Sequence, residues 1–342
     1  MKGTAIKIVA IVATLGAIYY SNANFDSYTL SIMNNVAIFA ILALSYNLIN
    51  GVTGQFSLEP NGFVAIGAYI TALFLIPADT KADMFALVDP APIVMEMSAP
   101  LLPAIIAGGV SASLIALMLS FPVFRVRGDY LAIVTLGFGF IIRIFAMNTP
   151  AYTNGAMGLN DIPDIADFLW TGTTALVTLV VMLHLVHSRY GRAMKAVRDD
   201  EDAASAMGID TFRIKTQAFM TSAFFEGIGG GLLASFLTTI SPDQFTFLLT
   251  FQLLIIIVLG GLGSMTGTLI ATVLVMGSME WLRFLDDDIV LMGMHTGAHP
   301  GMRMVVFAIL LIIMMLFARR GLLGDRELPD IVKALMAKRR KH

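Results

Sequence analysis

The chain has 342 residues, of which 57% are hydrophobic and 13% are charged, with a net charge of −2 and no cysteine. Soluble globular proteins carry about 25% charged residues, so this little charge could not cover a soluble fold of this size, and lipid is the predicted solvent. The composition also excludes a global basic field for nucleic acid, disulfide bonds and thiolate metal sites.

Apolar stretches close to the length of a membrane-spanning helix, about 20 residues, occur in nine regions. They are approximately 4–20, 29–49, 60–77, 101–124, 130–147, 168–187, 216–239, 246–282 and 303–318. The first follows Lys2 and Lys7 and resembles a secretory signal peptide, but no clear small-residue cleavage site comes after it. We therefore expect it to stay in place as the first spanning helix.

Positive charge is concentrated in four places: the N-terminal lysines, Arg125 with Arg127, the loop 188–215, and the tail from Arg319. The positive-inside rule places all four in the cytoplasm. Both termini are then cytoplasmic, which requires an even number of crossings. Splitting 246–282 at its glycine cluster gives ten crossings. The two halves are short, about 15 and 19 residues, so a re-entrant hairpin stays open as the alternative.

The predicted fold is an all-α membrane protein, a polytopic helical bundle of about ten transmembrane helices, within a range of about eight to ten. Residues 1–318 form a single transmembrane domain, and no soluble domain is long enough to stand alone. The tail 319–342 is basic, and its ending Lys338-Arg339-Arg340-Lys341 is typical of a segment beside anionic lipid headgroups.

The loop 188–215 has cations first and anions after them: Arg189, Arg192, Lys195 and Arg198, then Asp199, Asp200, Glu201 and Asp202. One helix through both blocks would oppose the helix macrodipole, so we expect two helices. The first continues the sixth span, and the second begins with Asp199 as N-cap and ends at Gly208. Asp210 can then cap the seventh span. The short second helix has small side chains, so another protein could approach it closely; the alternative is a solvated hairpin without a partner.

This loop resembles the Glu-Ala-Ala–Gly loop of bacterial ABC-importer permeases, here Asp202-Ala203-Ala204 followed by Gly208. Further segments resemble the branched-chain amino-acid permease family, specifically its LivM-type subunit: Gly54–Leu58 (GQFSL), Ala65–Tyr69 (AIGAY), Phe124–Gly139 (FRVRGDYLAIVTLGFG), Ala151–Leu159 (AYTNGAMGL) and Val258–Ser264 (VLGGLGS). In that family the loop forms a coupling helix that seats in a cleft of the ATP-hydrolysing subunit. The resemblance thus assigns ATPase coupling to Arg198, Asp199, Asp202, Ala203, Ala204, Met207 and Gly208.

Two positions depart from the family pattern, and both bear on the substrate rather than on the family. Glu59-Pro60-Asn61 stand where the family usually has Gly and a His or Gln, and Glu226 stands where it tends to have a small residue. A charge near the bilayer centre costs about 2.5–3.5 kcal/mol on insertion scales. We expect Glu226 near mid-membrane, facing the bundle interior, where it lines the translocation path or forms a buried structural pair. Arg143, the other costly charge, lies nearer the outer side.

Two further groups are candidate functional residues. Glycines at a helix break near mid-membrane can expose backbone groups to a substrate, so the candidate path also includes Gly260, Gly261, Gly263 and Ser264; close helix packing is the alternative. An interfacial anchor is predicted at the junction of the fourth and fifth spans, where the alternatives are ATPase contact or a network that fixes the coupling loop. Its residues are Arg125, Arg127 and Asp129.

No Gly-x-x-x-x-Gly-Lys-Ser/Thr loop occurs in the chain, so we expect no enzyme activity and no cofactor, with ATP hydrolysed by partner subunits. The resemblance implies a permease subunit of an ATP-driven importer of branched-chain or related amino acids in the bacterial inner (plasma) membrane. Its partners would be two ABC ATP-binding subunits, a sister permease that completes a heterodimer, and a periplasmic substrate-binding protein. The alternatives are a urea or short-amide ABC permease and a stand-alone secondary transporter or channel. A membrane-embedded enzyme would need clustered His, Asp or Glu at membrane depth, and the sequence shows none.

Overall fold

A computed structural model describes residues 2–85, 88–125 and 130–282, together with 290–291, 294–295, 302, 305–306, 308–309, 312, 321–324 and 327. Its fourteen described helices are α1 Lys2–Asn24, α2 Ser27–Asn47, α3 Pro60–Leu75, α4 Ala78–Met84, α5 Pro92–Glu96, α6 Leu101–Val123, α7 Tyr130–Asn148, α8 Pro150–Thr153, α9 Phe168–His187, α10 Arg189–Asp199, α11 Glu201–Ala206, α12 Thr211–Leu237, α13 Phe247–Gly260 and α14 Met265–Trp281. A π-helical turn, Leu48–Val52, extends α2. Two strands, β1 Val290–Leu291 and β2 Met294–His295, form a short antiparallel ladder.

The all-helical, polytopic fold is confirmed, but the count of about ten crossings is not. Among the described residues, six helices are long and apolar enough to cross a membrane: α2 with its π turn, α6, α7, α9, α12, and α13 with the turn before it. The strongly bent pair α3 and α4 would make a seventh. The predicted span 303–318 lies mostly outside the described residues.

The centre of the bundle is α12, which packs against α2, α3 and α6. Glycines on three of these helices make the close approach possible. If Gly227 had a Cβ atom, this atom would lie 2.8 Å from the carbonyl oxygen of Gly108 and 2.9 Å from the Cα of Gly109. Since lipid provides no hydrophobic force between helices, such close backbone packing is what holds the bundle together.

The predicted run 246–282 is two helices, α13 and α14, which pack against each other. They are separated by a turn, residues 261–264, in which Gly261 and Gly263 have positive φ angles of 108° and 90°. We call this segment the glycine turn. The backbone conformation explains the glycines, because other L-residues rarely adopt it.

Helix α14 runs antiparallel to α2 over most of its length. At one end, the Asn47 side chain donates to the carbonyl oxygen of Ser264, at 3.1 Å. At the other end, the Tyr28 hydroxyl donates to the Glu280 carboxylate, at 2.8 Å. Helix α14 thus extends from the level of the α2 C-terminus back to the level of the α2 N-terminus.

Adding a methyl group at one of these close contacts should destabilise the bundle. For Gly227→Ala we expect a loss of about 1–3 kcal/mol, as for other overpacked sites, measured by thermal unfolding of the purified protein. Gly277→Ala is the matched control, because nothing lies within 4 Å of its added Cβ, and alanine is the better helix former. Equal melting temperatures for Gly227→Ala and the unmodified protein would contradict this account of the packing.

Candidate coupling site

The loop 188–215 forms two short helices, as predicted, but their boundaries differ from the expected ones. The first does not continue the sixth span: α9 ends at His187, and Ser188 caps α10 by accepting from the backbone N–H groups of Tyr190 and Gly191. Asp199 is the last residue of α10, where its carboxylate contacts Arg198, at 3.0 Å. The N-cap of α11 is therefore Asp200, whose side chain accepts from the N–H of Ala203, at 2.9 Å.

The end of α11 and the start of α12 agree with the sequence analysis. Gly208 follows α11 with a φ angle of +84°, the left-handed conformation typical of a helix C-terminus. Asp210 caps α12 by accepting from the N–H of Arg213, at 3.0 Å. The acidic residues Glu201 and Asp202 lie in the first turn of α11, where they are favourable to the helix dipole.

Helix α11 presents a small, exposed surface. Asp202, Ala203 and Ala206 are exposed, whereas Ala204 is buried against the bundle. Met207 directly follows the helix, and its side chain is 84% exposed. It is the most exposed of the large apolar side chains in the described residues, and it lies outside the apolar spans.

A largely buried ion pair fixes α11 to the bundle. The ammonium group of Lys215 on α12 lies 2.5 Å from the carboxylate of Glu201, and only 5% of the lysine side chain is exposed. In α10, the helix that precedes α11, Met194 and Val197 are buried. The outer face of α11 is therefore exposed, while its inner face and its N-terminus are held.

Arg198 connects this loop to the breaks in two spanning helices. Its guanidinium group donates to the carbonyl oxygen of Gly51 in the π turn, at 3.4 Å. Its side chain also lies against Gly54 and Gly263. One arginine of the loop therefore contacts both the end of α2 and the glycine turn.

Asn47 joins the same two breaks from inside the bundle. It is fully buried, and its side-chain oxygen accepts from the N–H of Gly263, at 2.9 Å. Its side-chain nitrogen donates to the carbonyl oxygen of Ser264 and to the hydroxyl of Thr268, at 3.1 and 2.8 Å. A polar side chain thus satisfies backbone groups that the broken helix leaves unpaired.

The described part of the tail closes the glycine turn from another side. The N–H groups of Leu322 and Leu323 donate to the carbonyl oxygens of Leu259 and Gly260, at 2.7 and 3.3 Å. The Glu327 carboxylate accepts from the N–H groups of Met265 and Thr266, at 2.8 and 3.0 Å. A carboxylate at the N-terminus of α14 both caps the helix and complements its dipole.

The other predicted residues lie in different places. Glu226 is fully buried in α12. Arg143 pairs with Asp243, at 2.5 Å, a partner that the sequence did not indicate. Arg125 is exposed at the end of a described segment, and Arg127 and Asp129 lie outside the described residues. The structure therefore brings Arg198, Gly263 and Ser264 together with Asn47, and it places Glu226 elsewhere in the core.

Sequence reasoning did not identify Asn47, Gly51 or Glu327 as parts of this arrangement. An asparagine at the end of an apolar span is a weak signal for a broken helix nearby. Glu327 lies in a basic tail and has no sequence feature that indicates a capping role. In the part of the chain that the structure describes, no cluster of His, Asp or Glu could hold a metal ion.

Removal of the Asn47 side chain should destabilise the glycine turn. Asn47→Ala leaves the N–H of Gly263 buried without its partner, and each such group costs about 1–3 kcal/mol. We expect a lower melting temperature and faster hydrogen exchange in residues 258–268. Asn148→Ala is the control, because Asn148 is exposed and donates to the carbonyl of Ile144 within its own helix. Unchanged exchange in Asn47→Ala would show that the turn does not depend on this side chain.

Comparison with known proteins places this arrangement in context. The protein family described as branched-chain amino acid transport system / permease component matches residues 28–315. The high-affinity branched-chain amino acid transport system permease protein LivM of Escherichia coli K12 is 33% identical over an alignment of 298 positions, which covers 77% of this chain and 66% of that protein. LivM of Salmonella typhimurium is 35% identical over an alignment of 289 positions, which covers 75% of this chain and 64% of that protein.

A second type of permease is also similar. LivH of Salmonella typhimurium is 25% identical over an alignment of 344 positions, which covers 92% of this chain and 98% of that protein. The aligned part of this chain spans slightly less than two thirds of the length of both LivM proteins. No solved structure matches the chain.

Proposed function

Because the chain belongs to the family of permease components of branched-chain amino acid transport systems, we propose that it is the membrane subunit of an ATP-driven importer of branched-chain or related amino acids. The observation that carries the proposal is the exposed face of α11. It lies in a loop that is fixed to the bundle by Lys215 and Arg198. If a partner subunit binds this face and moves, the loop can transmit the movement to the spanning helices.

The proposed partners are two ATP-binding subunits, a sister permease and a periplasmic substrate-binding protein. The chain has no phosphate-binding loop of the Gly-x-x-x-x-Gly-Lys-Ser/Thr type, so the ATPase must be another subunit. Its contact residues would be those on the exposed side of α11 and the turn that follows it: Asp202, Ala203, Met207 and Gly208. Asp199 is exposed beside them, Arg198 is partly buried, and Ala204 supports the helix from inside.

For the topology, we propose that both termini are cytoplasmic and that α13 and α14 cross the inner membrane twice. Two contacts support this. The glycine turn lies beside Arg198 and the tail residues Leu322 and Leu323, so the loop, the turn and the tail share one end of the bundle. Helix α14 then returns along α2 to the opposite end, as the Tyr28–Glu280 contact indicates.

For the mechanism, we propose that closure of the ATPase subunits moves α11, and that Arg198 passes this movement to the π turn and the glycine turn. The positive φ angles of Gly261 and Gly263 make this turn a natural hinge. Movement of α13 and α14 about the hinge would open the candidate path, which includes Gly260, Ser264 and Glu226, to one side of the membrane at a time.

The proposal is tested by replacing the exposed apolar residue of the loop. Met207→Asp should reduce co-purification of the ATP-binding subunits at least tenfold, since it puts a charge into an apolar contact, a loss of about 1.4 kcal/mol or more. Met157→Asp is the matched control, because Met157 is 64% exposed in a different loop. We expect it to retain the ATP-binding subunits. If both variants retain them fully, α11 is not the docking site.

A further inference from the structure

Two glutamates lie together in the core of the bundle, although only one of them attracts attention as an intramembrane charge in the sequence. Glu59 precedes α3, and Glu226 lies near the middle of α12. Both side chains are fully buried, and the helix that Glu59 precedes, α3, packs against α12. These are also the positions at which the sequence departs from the family pattern.

The hydrogen-bond partners of Ser222 bear on whether Glu226 carries a proton. The Ser222 hydroxyl lies 2.7 Å from the carbonyl oxygen of Ser45 and 3.0 Å from Oε1 of Glu226. A carbonyl can only accept, and a hydroxyl has only one proton to donate. If Ser222 donates to Ser45, the contact between Ser222 and Glu226 needs a proton from the carboxyl group.

The remaining carboxyl oxygens have no hydrogen-bond donor in the part of the chain that the structure describes. These atoms are both Oε atoms of Glu59 and Oε2 of Glu226. A buried, ionised carboxylate without donors is strongly unfavourable, with an effective penalty of several kcal/mol per ion. Two such anions in one buried core would add their mutual repulsion.

Among the residues that the structure describes, no cation of the surrounding helices balances this charge. Helices α2, α3, α6 and α13 contain no Lys, Arg or His. Of the cations on α7 and α12, Arg143 pairs with Asp243 and Lys215 pairs with Glu201, while Arg213 is exposed. The titratable neighbour on α2 is Tyr46, and its hydroxyl donates to the carbonyl oxygen of Ser57, at 2.7 Å.

We propose that Glu59 and Glu226 form a proton-binding site in the core of the bundle, which keeps at least one proton at neutral pH. The Glu226 carboxyl group donates this proton to Ser222. A proton fits here because it needs no space beyond the carboxyl group that binds it, and both carboxyl groups are fully buried. Opening of this part of the core to water would let the proton pass to the solvent, so that the conformation of the bundle is linked to pH. The site does not depend on the proposed transport function.

Infrared spectroscopy of the purified full-length protein tests the site directly. We expect a carbonyl stretching band of a protonated carboxyl group at neutral pH, where exposed carboxyl groups are ionised. Glu226→Gln should remove this band, and Glu59→Gln should shift it, since the neighbour of the protonated group changes. Glu96→Gln is the control, because Glu96 is exposed, and it should leave the band unchanged.

A second measurement uses the pH dependence of stability. The folded protein would hold a proton that the unfolded chain releases, so the melting temperature should fall as the pH rises from about 6 to about 9. In the Glu59→Gln/Glu226→Gln double variant, the melting temperature should fall less over the same pH range. The proposal is overturned if the unmodified protein shows no protonated-carboxyl band at neutral pH, or if the band is the same in Glu59→Gln and Glu226→Gln.

Discussion

Every break in a helix inside a lipid bilayer leaves backbone N–H and C=O groups without partners, and lipid cannot satisfy them. This chain has such a break in the glycine turn between α13 and α14, and the π turn that extends α2 ends beside it, at the same end of the bundle. Asn47 binds the glycine turn from inside. Glu327 caps the helix that follows, and Arg198 reaches the π turn from the loop. The same contacts that satisfy the backbone thus join the loop, the breaks and the tail.

This arrangement explains why the loop is well placed to move the spanning helices. An isolated surface hairpin would move without effect on the bundle. Here Lys215 fixes one side of the loop through a largely buried ion pair, and Arg198 connects its other side to two helices at the points where they are broken. A helix break is also the position at which a small rotation costs least. In this proposal, Met207 and its neighbours contact the partner subunit on one side of the loop. Arg198, on the other side, passes the movement to the spanning helices.

Much of the fold could be predicted from the sequence, because apolar length and charge placement are strong signals in membrane proteins. The span 168–187 has the predicted bounds, and the division of 246–282 at its glycines is present. Local capping was predicted less well. The N-caps of the two loop helices are Ser188 and Asp200, not Asp199 alone as expected. Several neighbouring Ser and Asp side chains can accept from the same N–H groups, so the sequence does not decide which of them is the cap. The contacts of Asn47, Arg143 and Glu327 join residues about 60 to 220 positions apart and depend on tertiary packing. The pairing of Glu59 with Glu226 was equally inaccessible, although both residues are unusual in the sequence.

The central claim is that the loop and the glycine turn move as one unit. The natural chain has no cysteine, so spin labels can be placed at Ser205 and Leu262, both of which are exposed. The distance between these labels is measured by electron paramagnetic resonance in the assembled transporter, with and without ATP. A second pair, at Ser205 and Met157, reports on movement relative to another part of the bundle. The account predicts that ATP leaves the 205–262 distance unchanged while the 205–157 distance shifts, and that Arg198→Ala makes the first distance variable. A 205–262 distance that changes with ATP as much as the 205–157 distance would contradict it.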